Sequence, residues 1–162
     1  MMDSGSHGGA GRAKIGPLYA DKIREHMTAF IAVAADQPSP RWGKENFLRS
    51  LPYKWRLSMV AWHDETPIGY TIVSRKAPTR AHLHHFMIRT DFRNQGLGNR
   101  MMAELEKRAR KHGFSELTLK VEKASLGARR FYSRLGYRQI DDEGQYILYG
   151  KPMEIPAEYT SP

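Results

Sequence analysis

A strand-like segment, a turn with two glycines and an amphipathic helix follow one another between His82 and Gly113. The apolar face of the helix repeats at four-residue spacing: Leu97, Met101, Leu105 and Ala109. At such a junction the first N–H groups of the helix lack partners within the helix, and the glycines let an anion approach the backbone closely. No acidic residue lies between Arg93 and Arg100. The turn therefore predicts a site for a phosphate or pyrophosphate group.

The composition limits the classes of protein that need to be considered. A length of 162 residues favours one domain with its own core. The 26 Lys and Arg against 17 Asp and Glu give a formal charge of +9, which favours an anionic partner such as nucleic acid, an acidic surface or a phosphorylated small molecule. The absence of cysteine excludes a disulfide framework, a cysteine nucleophile and a cysteine-based zinc site. Without a long apolar run or a signal-peptide core, we expect a cytoplasmic protein with no membrane partner.

Periodicity and turn residues predict the elements around the junction. We expect helices over residues 17–37, 44–51, 97–113 and 125–136, with Ser125 as the N-cap of the last. We expect strands over 56–62, 68–75, 82–90, 115–121, 137–141 and 145–151. Residues 1–12 and 155–162 are predicted to be flexible tails, and residues 13–154 one domain. This order predicts an α+β fold with a mixed sheet.

Two familiar nucleotide motifs fail at the turn, and a third matches. The Walker pattern is absent, and the dinucleotide fingerprint needs a third glycine where the chain has Met101. The segment Arg93–Gly98, "RNQGLG", fits Arg/Gln-x-x-Gly-x-Gly/Ala, and so resembles the pyrophosphate loop of the GNAT superfamily of N-acetyltransferases. The segment Ser125–Tyr137, "SLGARRFYSRLGY", is similar to the later motif of that superfamily, a helix with Ala-x-x-x-Tyr followed by Leu-Gly-aromatic.

The resemblance spans residues 57–151 and implies a fold, a co-substrate and a binding site. The implied fold is a mostly antiparallel twisted sheet with two central strands that splay apart and helices on both faces. The implied co-substrate is acetyl-CoA, with no metal; the backbone of Met87 and Ile88 would pair with its pantetheine arm. Its pyrophosphate would be held by the turn: Arg93, Asn94, Gln95, Gly96, Leu97, Gly98 and Asn99.

Three further parts of the implied site leave alternatives open. The superfamily usually has Asn where this chain has Ser125, whose hydroxyl either caps the helix or reaches the pantetheine. Arg129, with Lys123 and Arg130, either meets the adenosine phosphate or forms an exposed basic helix face. Tyr132 matches the general-acid tyrosine of the superfamily, although its place on the apolar face also suits a core aromatic residue.

The strand before the turn has no glutamate to act as a base, but it carries three histidines. The segment "HLHHFMIRTDFRNQGLG" is similar to the corresponding part of the arylalkylamine N-acetyltransferases, where a His-x-His pair lines a water-filled proton path. The resemblance makes His82 and His84 candidate bases that act through water; the alternative is that they are structural. In a regular strand these two lie on one face and His85 on the other.

The resemblance implies transfer of acetyl from acetyl-CoA to a primary amine by direct attack, with a small-molecule amine as the first expectation. A peptide N-terminus or a lysine is the alternative acceptor, and a nucleic-acid-binding or CoA-sensing module is the alternative without catalysis; nucleic acid binding is disfavoured because no such motif is present. Five aromatic residues form either an acceptor pocket or core: Trp42, Phe47, Tyr53, Trp55 and Tyr146. The acidic residues 141–143 would attract a polycationic amine. We expect a monomer or a homodimer.

Overall fold

A computed structural model describes residues 13–37 and 41–154. Its strands are β1 Lys14–Pro17, β2 Met59–His63, β3 Thr66–Ala77, β4 Arg80–Ile88, β5 Glu116–Glu122, β6 Arg138–Glu143 and β7 Tyr146–Pro152. Its helices are α1 Ala20–Glu25, α2 Met27–Ala34, α3 Lys44–Leu48, α4 Lys54–Leu57, α5 Leu97–Lys111 and α6 Leu126–Arg134, with a 3₁₀ turn at Thr90–Phe92. In these two ranges no helix is long and apolar enough to cross a membrane. The predicted tails lie outside the described residues.

The strands form one seven-stranded sheet in the order β1-β2-β3-β4-β5-β7-β6. Each neighbouring pair is antiparallel except β4 and β5, which run parallel because α5 connects them. The mixed, mostly antiparallel sheet confirms the predicted fold class.

The two central strands splay apart, as the resemblance implies. The parallel ladder between β4 and β5 runs from Arg80 opposite Glu116 to Leu83 opposite Leu119 and then stops. Both strands continue, β4 as far as Ile88 along β3 and β5 along β7. Between them, one edge of β4 is left without a neighbouring strand over half its length.

Apolar clusters on the two faces of the sheet hold the helices in place. On one face, residues of α1, α2 and α3 pack on β2–β4, with Phe30, Phe47 and Tyr70 all fully buried. On the other face, α5 and the chain after it pack on the sheet through residues such as Leu105 and Phe114. Burial of apolar surface on both faces contributes most of the stability of such a fold.

The N-terminal third departs from the predicted elements. The expected single helix is two helices that meet at His26, whose φ of −118° leaves the helical range and whose ring meets the edge of Trp62 at 5.1 Å. Pro17, predicted as the start of the helix, instead belongs with Gly16 to β1, which pairs with β2. Neither tertiary contact has a local sequence signal.

The strand predicted over 56–62 begins as the short helix α4, which carries a fully buried lysine. The ammonium group of Lys54 donates to the carbonyls of Phe47 at 2.6 Å and Arg49 at 2.7 Å, at the C-terminal end of α3. These carbonyls have no partners within the helix, so the lysine takes the role of a C-cap. The contact holds the start of α4 against the end of α3.

Candidate active site

A cleft of about 1140 Å³ opens where β4 and β5 separate. Its walls are residues 83–88 of β4 and 119–122 of β5, closed by the glycine turn, by α6 and by the residues after α2. The predicted site residues on its walls are His84, Met87, Ile88, Arg93, Asn94, Gly96, Gly98, Asn99, Ser125 and Tyr132. The splay therefore brings the two sequence motifs together at one cleft.

The glycine turn places the uncapped N-terminus of α5 at the cleft. Gly96 takes the N-cap position with a φ of 87°, a left-handed value that favours glycine, and Asn94 has a φ of 60°. No side chain caps α5, and its first turn contains no acidic residue. The N–H groups of Leu97, Gly98 and Asn99 have no acceptor within the helix, and they carry the positive end of its dipole. The turn can therefore hold an anion.

Three residues of the turn have structural roles. Leu97 is 1% exposed and packs beneath the helix, and the side-chain amide of Gln95 donates back to the carbonyl of Asp91 at 3.2 Å. Gly98 lies close to α6, where a Cβ would be 3.3 Å from the ring of Phe131 and that ring would have to shift slightly. The turn thus fixes α5 against α6 as well as presenting N–H groups.

Arg93 is engaged by the protein itself. Its Nε donates to the carbonyl of Ile88 at 2.7 Å, and its guanidinium pairs with the carboxylate of Asp36 at 3.3 Å. Asp36, which follows α2, also accepts a hydrogen bond from Thr90. An acid therefore lies beside the turn although the turn contains none after Asp91, and backbone N–H groups remain the main donors for an anion.

A β-bulge places all three histidines of β4 on one face of the sheet. Opposite β3, Leu83 pairs with Val73 and His85 with Ile72, so His84 is an extra residue. Leu83 and Phe86 both pack on the α5 side; His84 and His85 between them project toward the face that carries α1–α3. The prediction that His85 points away from His82 and His84 is wrong, because it assumed a regular strand.

The two candidate bases occupy different environments. His84 lines the cleft, with its Nε2 bonded to Ser74 Oγ at 2.6 Å. His82 is 8% exposed, lies behind His84 at a ring distance of 4.9 Å, and bonds Thr118 Oγ1 through Nδ1 at 2.7 Å. Burial, with nearby positive charge, lowers the pKa of His84 to about 4 and that of His82 to about 3. Both rings are therefore neutral at neutral pH.

Tyr132 lies on α6 at the wall of the cleft, between the rings of Phe131 at 5.0 Å and Tyr137 at 5.8 Å. Burial raises its pKa well above the usual range, because a phenolate would be poorly solvated there. The hydroxyl therefore carries its proton at any working pH. No hydrogen bond to it is made within residues 13–37 and 41–154.

The other residues predicted near the bound anion differ in whether they face the cleft. Ser125 lines the cleft at the N-cap position of α6, without a side-chain capping bond. Arg129 turns inward and donates to the carbonyl of Lys123 at 3.0 Å and to the hydroxyl of Tyr149 at 3.2 Å. Arg130 lies on the cleft wall instead, so it is better placed to meet a phosphate.

The five aromatic residues considered for an acceptor pocket do not form one group. Phe47 is fully buried, and Tyr53 lies in the other cluster against Phe114. Trp55 packs under α1–α3 beside Lys54. Only two approach the cleft: Tyr146 on its wall, and Trp42, which stacks on the cleft residue His85 at 4.3 Å.

The acidic segment 141–143 is partly neutralised by lysines. Asp142 pairs with Lys123 and Glu143 pairs with Lys120, both at 2.8 Å. No group of side chains suited to holding a metal ion occurs in the described parts of the chain.

Comparison with known proteins identifies the family. The chain matches the model of the acetyltransferase (GNAT) family over residues 25–137. No curated protein matches significantly. Among solved structures, the ribosomal-protein-S18-alanine N-acetyltransferase of Escherichia coli is 18% identical, with a TM-score of 0.75 over 92% of this chain and 99% of that one. The PaiA N-acetyltransferase of Thermoplasma acidophilum, in complex with coenzyme A, is 19% identical (TM-score 0.68; 86% and 98% covered). Naa50 of Arabidopsis thaliana, in complex with a bisubstrate analogue CoA-Ac-MVNAL, is 12% identical (TM-score 0.70; 86% and 97% covered).

Proposed function

The chain belongs to the acetyltransferase (GNAT) family and is therefore an acetyl-CoA-dependent N-acetyltransferase. We propose that it transfers the acetyl group directly to a small-molecule primary amine bound in the cleft between β4 and β5. The observation that supports this most strongly is the unpaired edge of β4 running up to an uncapped helix N-terminus. An arm with amide groups followed by a pyrophosphate matches both features.

The residues that would hold acetyl-CoA follow from this arrangement. Because the N–H of Arg89 bonds to the carbonyl of Ile68 on β3, alternation along β4 turns the backbone of Met87 toward β3 and that of Ile88 toward the open edge. The N–H of Ile88 is therefore the group that we propose for pairing with the pantetheine arm, as with an added strand. The N–H groups of Gly98 and Asn99 offer donors to the pyrophosphate. When bound, acetyl-CoA supplies the thioester that the amine attacks, and the chain has no cysteine that could take the acetyl group first.

His84 is the base that we propose, acting through water, with His82 as a second candidate further from the cleft. An alkyl ammonium has a pKa of about 10. The burial and the charges of Lys54 and Lys76 that lower the pKa of His84 also disfavour an ammonium ion beside it, so the cleft favours uptake of the neutral amine. His84 then receives the proton that the amine nitrogen loses as it attacks.

Tyr132 is the acid that we propose. Its hydroxyl stays protonated and lies at the wall of the cleft, so it can donate to the sulfur atom as negative charge develops there. An alkyl thiol has a pKa of about 8.5, far below that of the buried tyrosine. Donation from a tyrosine of raised pKa therefore stabilises the leaving sulfur mainly by hydrogen bonding during the transfer.

A peptide N-terminus is the second candidate for the acceptor. Two structurally similar proteins support it: the ribosomal-protein-S18-alanine N-acetyltransferase of Escherichia coli, and Naa50 in complex with the bisubstrate analogue CoA-Ac-MVNAL. A small amine is favoured by the aromatic lining near His85, where Trp42 stacks. The monomeric or dimeric state and the cytoplasmic location stay predictions of the sequence.

Acetyl-CoA binding and amine-dependent thiol release test the proposal. Saturation at about 100 times the dissociation constant should stabilise the fold by about 2.7 kcal/mol, which a thermal unfolding curve detects. Release of free thiol should then require an added small amine. Binding of DNA without any response to acetyl-CoA would contradict the proposal.

A carboxylate introduced into the first turn of α5 should weaken acetyl-CoA binding without lowering the stability of the free protein. We expect Asn99→Glu to weaken acetyl-CoA binding at least 10-fold, about 1.4 kcal/mol, because the carboxylate repels the pyrophosphate. The same carboxylate should leave the melting temperature of the free protein unchanged or slightly higher, since it favours the helix dipole. Calorimetric titration of Asn99→Glu against Ala103→Glu, an exposed site one turn later, measures the difference. Equal affinities in the two variants would contradict the proposed pyrophosphate site.

The histidine pair offers a second comparison. We expect His84→Ala to lower kcat by about 10²-fold or more, in the range found for general bases, because His84 lines the cleft. His82→Ala should lower kcat less, since the ring lies behind His84 and bonds to Thr118. Steady-state rates at several pH values, with addition of imidazole to His84→Ala, measure the effect. A His84→Ala variant with the wild-type kcat would rule out this base.

A further inference from the structure

A group of basic residues surrounds Tyr53, at the end of the sheet opposite the cleft. We call this group the Tyr53 cluster; its members are Arg56, Arg75, Arg108, Lys111 and His112. They come from three segments far apart in the chain, so no basic motif marks them in the sequence. None of them lines the cleft. The glycine turn and the cluster lie at opposite ends of α5, whose 15 residues span about 22 Å.

The ring of Tyr53 is the point where the three segments meet. The guanidinium carbons of Arg56 on α4 and Arg75 near the end of β3 lie over the ring, 5.0 Å and 5.3 Å from its centroid. The ring of His112, which follows α5, meets it edge to face at 6.5 Å. The N–H of Arg75 also donates to the carbonyl of Pro52 at 2.8 Å, which holds Arg75 beside the ring.

Tyr53 occupies a strained backbone position. Its φ of 64° is left-handed, at the N-cap of α4, and such a value is rare for a residue with a large side chain. The ring is half-buried and packs on Phe114 at 5.5 Å. The strained residue holds an aromatic ring beside two exposed arginines, and strain of this kind is concentrated at functional sites.

The positive charges of the cluster have no counter-ions. Among the described residues, none of Arg56, Arg75, Arg108 and Lys111 forms an ion pair or a side-chain hydrogen bond. Burial and the charges of Arg108, Arg56 and Lys111 lower the pKa of His112, so the three charges act at one place. The dipole of α5 favours the cations of its last turn but does not account for Arg75 on β3. A bound polyanion would relieve the repulsion between these charges.

We infer that the Tyr53 cluster is a binding surface for single-stranded nucleic acid, separate from the acetyl-transfer site. Cations from three segments cover more than one phosphate, so they fit a chain of phosphates better than a single anion. An arginine held over an aromatic ring presents a planar group on which an unpaired base stacks, while its N–H groups bind phosphate. An acidic peptide would use the charge but has no base to stack. The formal charge of +9 on the whole chain favours the approach of such a polyanion.

Fluorescence anisotropy tests the inference with single-stranded RNA and DNA of about 20 nucleotides and with the corresponding duplex. We expect Arg56→Gln/Arg75→Gln to weaken binding of both single strands by about 10-fold or more. The slope of log Kd against log salt concentration should fall by about 1.4, because each lost phosphate contact removes about 0.7. The control Lys22→Gln/Arg24→Gln removes the same charge from exposed positions on α1 and should change both quantities much less. Equal losses in the two double variants would overturn the inference, since binding would then follow net charge alone.

A lysine variant separates nucleic acid from an acidic protein partner. Arg56→Lys/Arg75→Lys keeps both charges and loses both planar groups, so we expect an unchanged salt slope and several-fold weaker binding of single strands. Wild-type affinity in this variant would overturn the inference. Tighter binding of the duplex or of poly-glutamate than of the single strands would overturn it as well. If the glutamine variant does not fold, as urea unfolding shows, the lysine variant still tests the surface.

Acetyl transfer distinguishes this inference from the proposed function. Thiol release with acetyl-CoA and a small amine should be the same in wild type and in both variants of Arg56 and Arg75, because the cluster does not reach the cleft. Binding of single strands that depends on these arginines, without thiol release, would support the surface and contradict the small-amine acetyltransferase. Thiol release without such binding would overturn the surface alone.

Discussion

Replacing Tyr132 by phenylalanine is expected to lower the rate of acetyl transfer by about 10²- to 10⁴-fold, the range of a lost general acid. The change removes only the hydroxyl, which makes no hydrogen bond within the described residues, and the ring still packs between Phe131 and Tyr137. Acetyl-CoA affinity and the melting temperature should therefore stay close to wild type. Single-turnover rates with saturating acetyl-CoA measure the effect on chemistry apart from binding.

Tyr137→Phe is the matched control. The hydroxyl of Tyr137 donates to Glu106 at 2.8 Å in a buried network that Lys151 completes at 2.9 Å. Its loss should destabilise the fold by about 1–3 kcal/mol, because a buried carboxylate oxygen loses a donor. The rate of acetyl transfer should stay at the wild-type value, since Tyr137 is buried away from the cleft. The assignment of Tyr132 fails if its variant keeps the wild-type rate, or if both variants slow equally.

The second large effect is a loss of stability in mild acid. His82, His84 and His85 have folded-state pKa values of about 3, 4 and 4, against an ordinary value of 6.5. Between pH 6.5 and about 4 the unfolded chain binds protons that the folded chain does not, so the free energy of unfolding falls as the pH falls. Their contribution is fully present above pH 6.5. Each histidine should lower the free energy of unfolding by at most about 1.4 kcal/mol per pH unit within this window, and the half-buried His84 by less because solvent screens its charge.

Urea unfolding at pH 7.0, 6.0 and 5.0 measures this dependence. Carboxylates also titrate at the acid end, so the comparison that isolates the histidines is wild type against His85→Phe. The variant should be less stable at pH 7.0, where the buried hydroxyl of Tyr70 has lost its acceptor, Nδ1 of His85 at 2.7 Å. It should also lose stability less steeply, by about one third of the slope due to the three histidines. Identical slopes would show that His85 is not a buried neutral group.

Local signals in the sequence were sufficient for the second half of the fold. The four-residue apolar repeat from Leu97 predicts α5, because a helix of 15 residues buries one continuous stripe. The two glycine motifs and the turn residues fix where the strands end. The predicted strand at 115–121 accordingly differs from β5 by a single residue at each end. The N-terminal third was predicted less well, because the break at His26 involves a contact with Trp62 far along the chain, and the contacts of Lys54 with the end of α3 follow no periodic pattern.

The candidate site also combines features that the sequence predicts with features that depend on the fold. Local patterns were enough to predict the types of group available: an acid-free glycine turn that opens a helix, a tyrosine on α6 and a histidine-rich strand. Which of these groups meet depends on how the distant segments pack together. The bulge at His84 places His85 in the cleft, Asp36 reaches Arg93 from another segment, and Arg129 turns inward while Arg130 does not. Strand register, bulges and ion pairs depend on packing between distant segments, and periodicity within one segment contains no information about them.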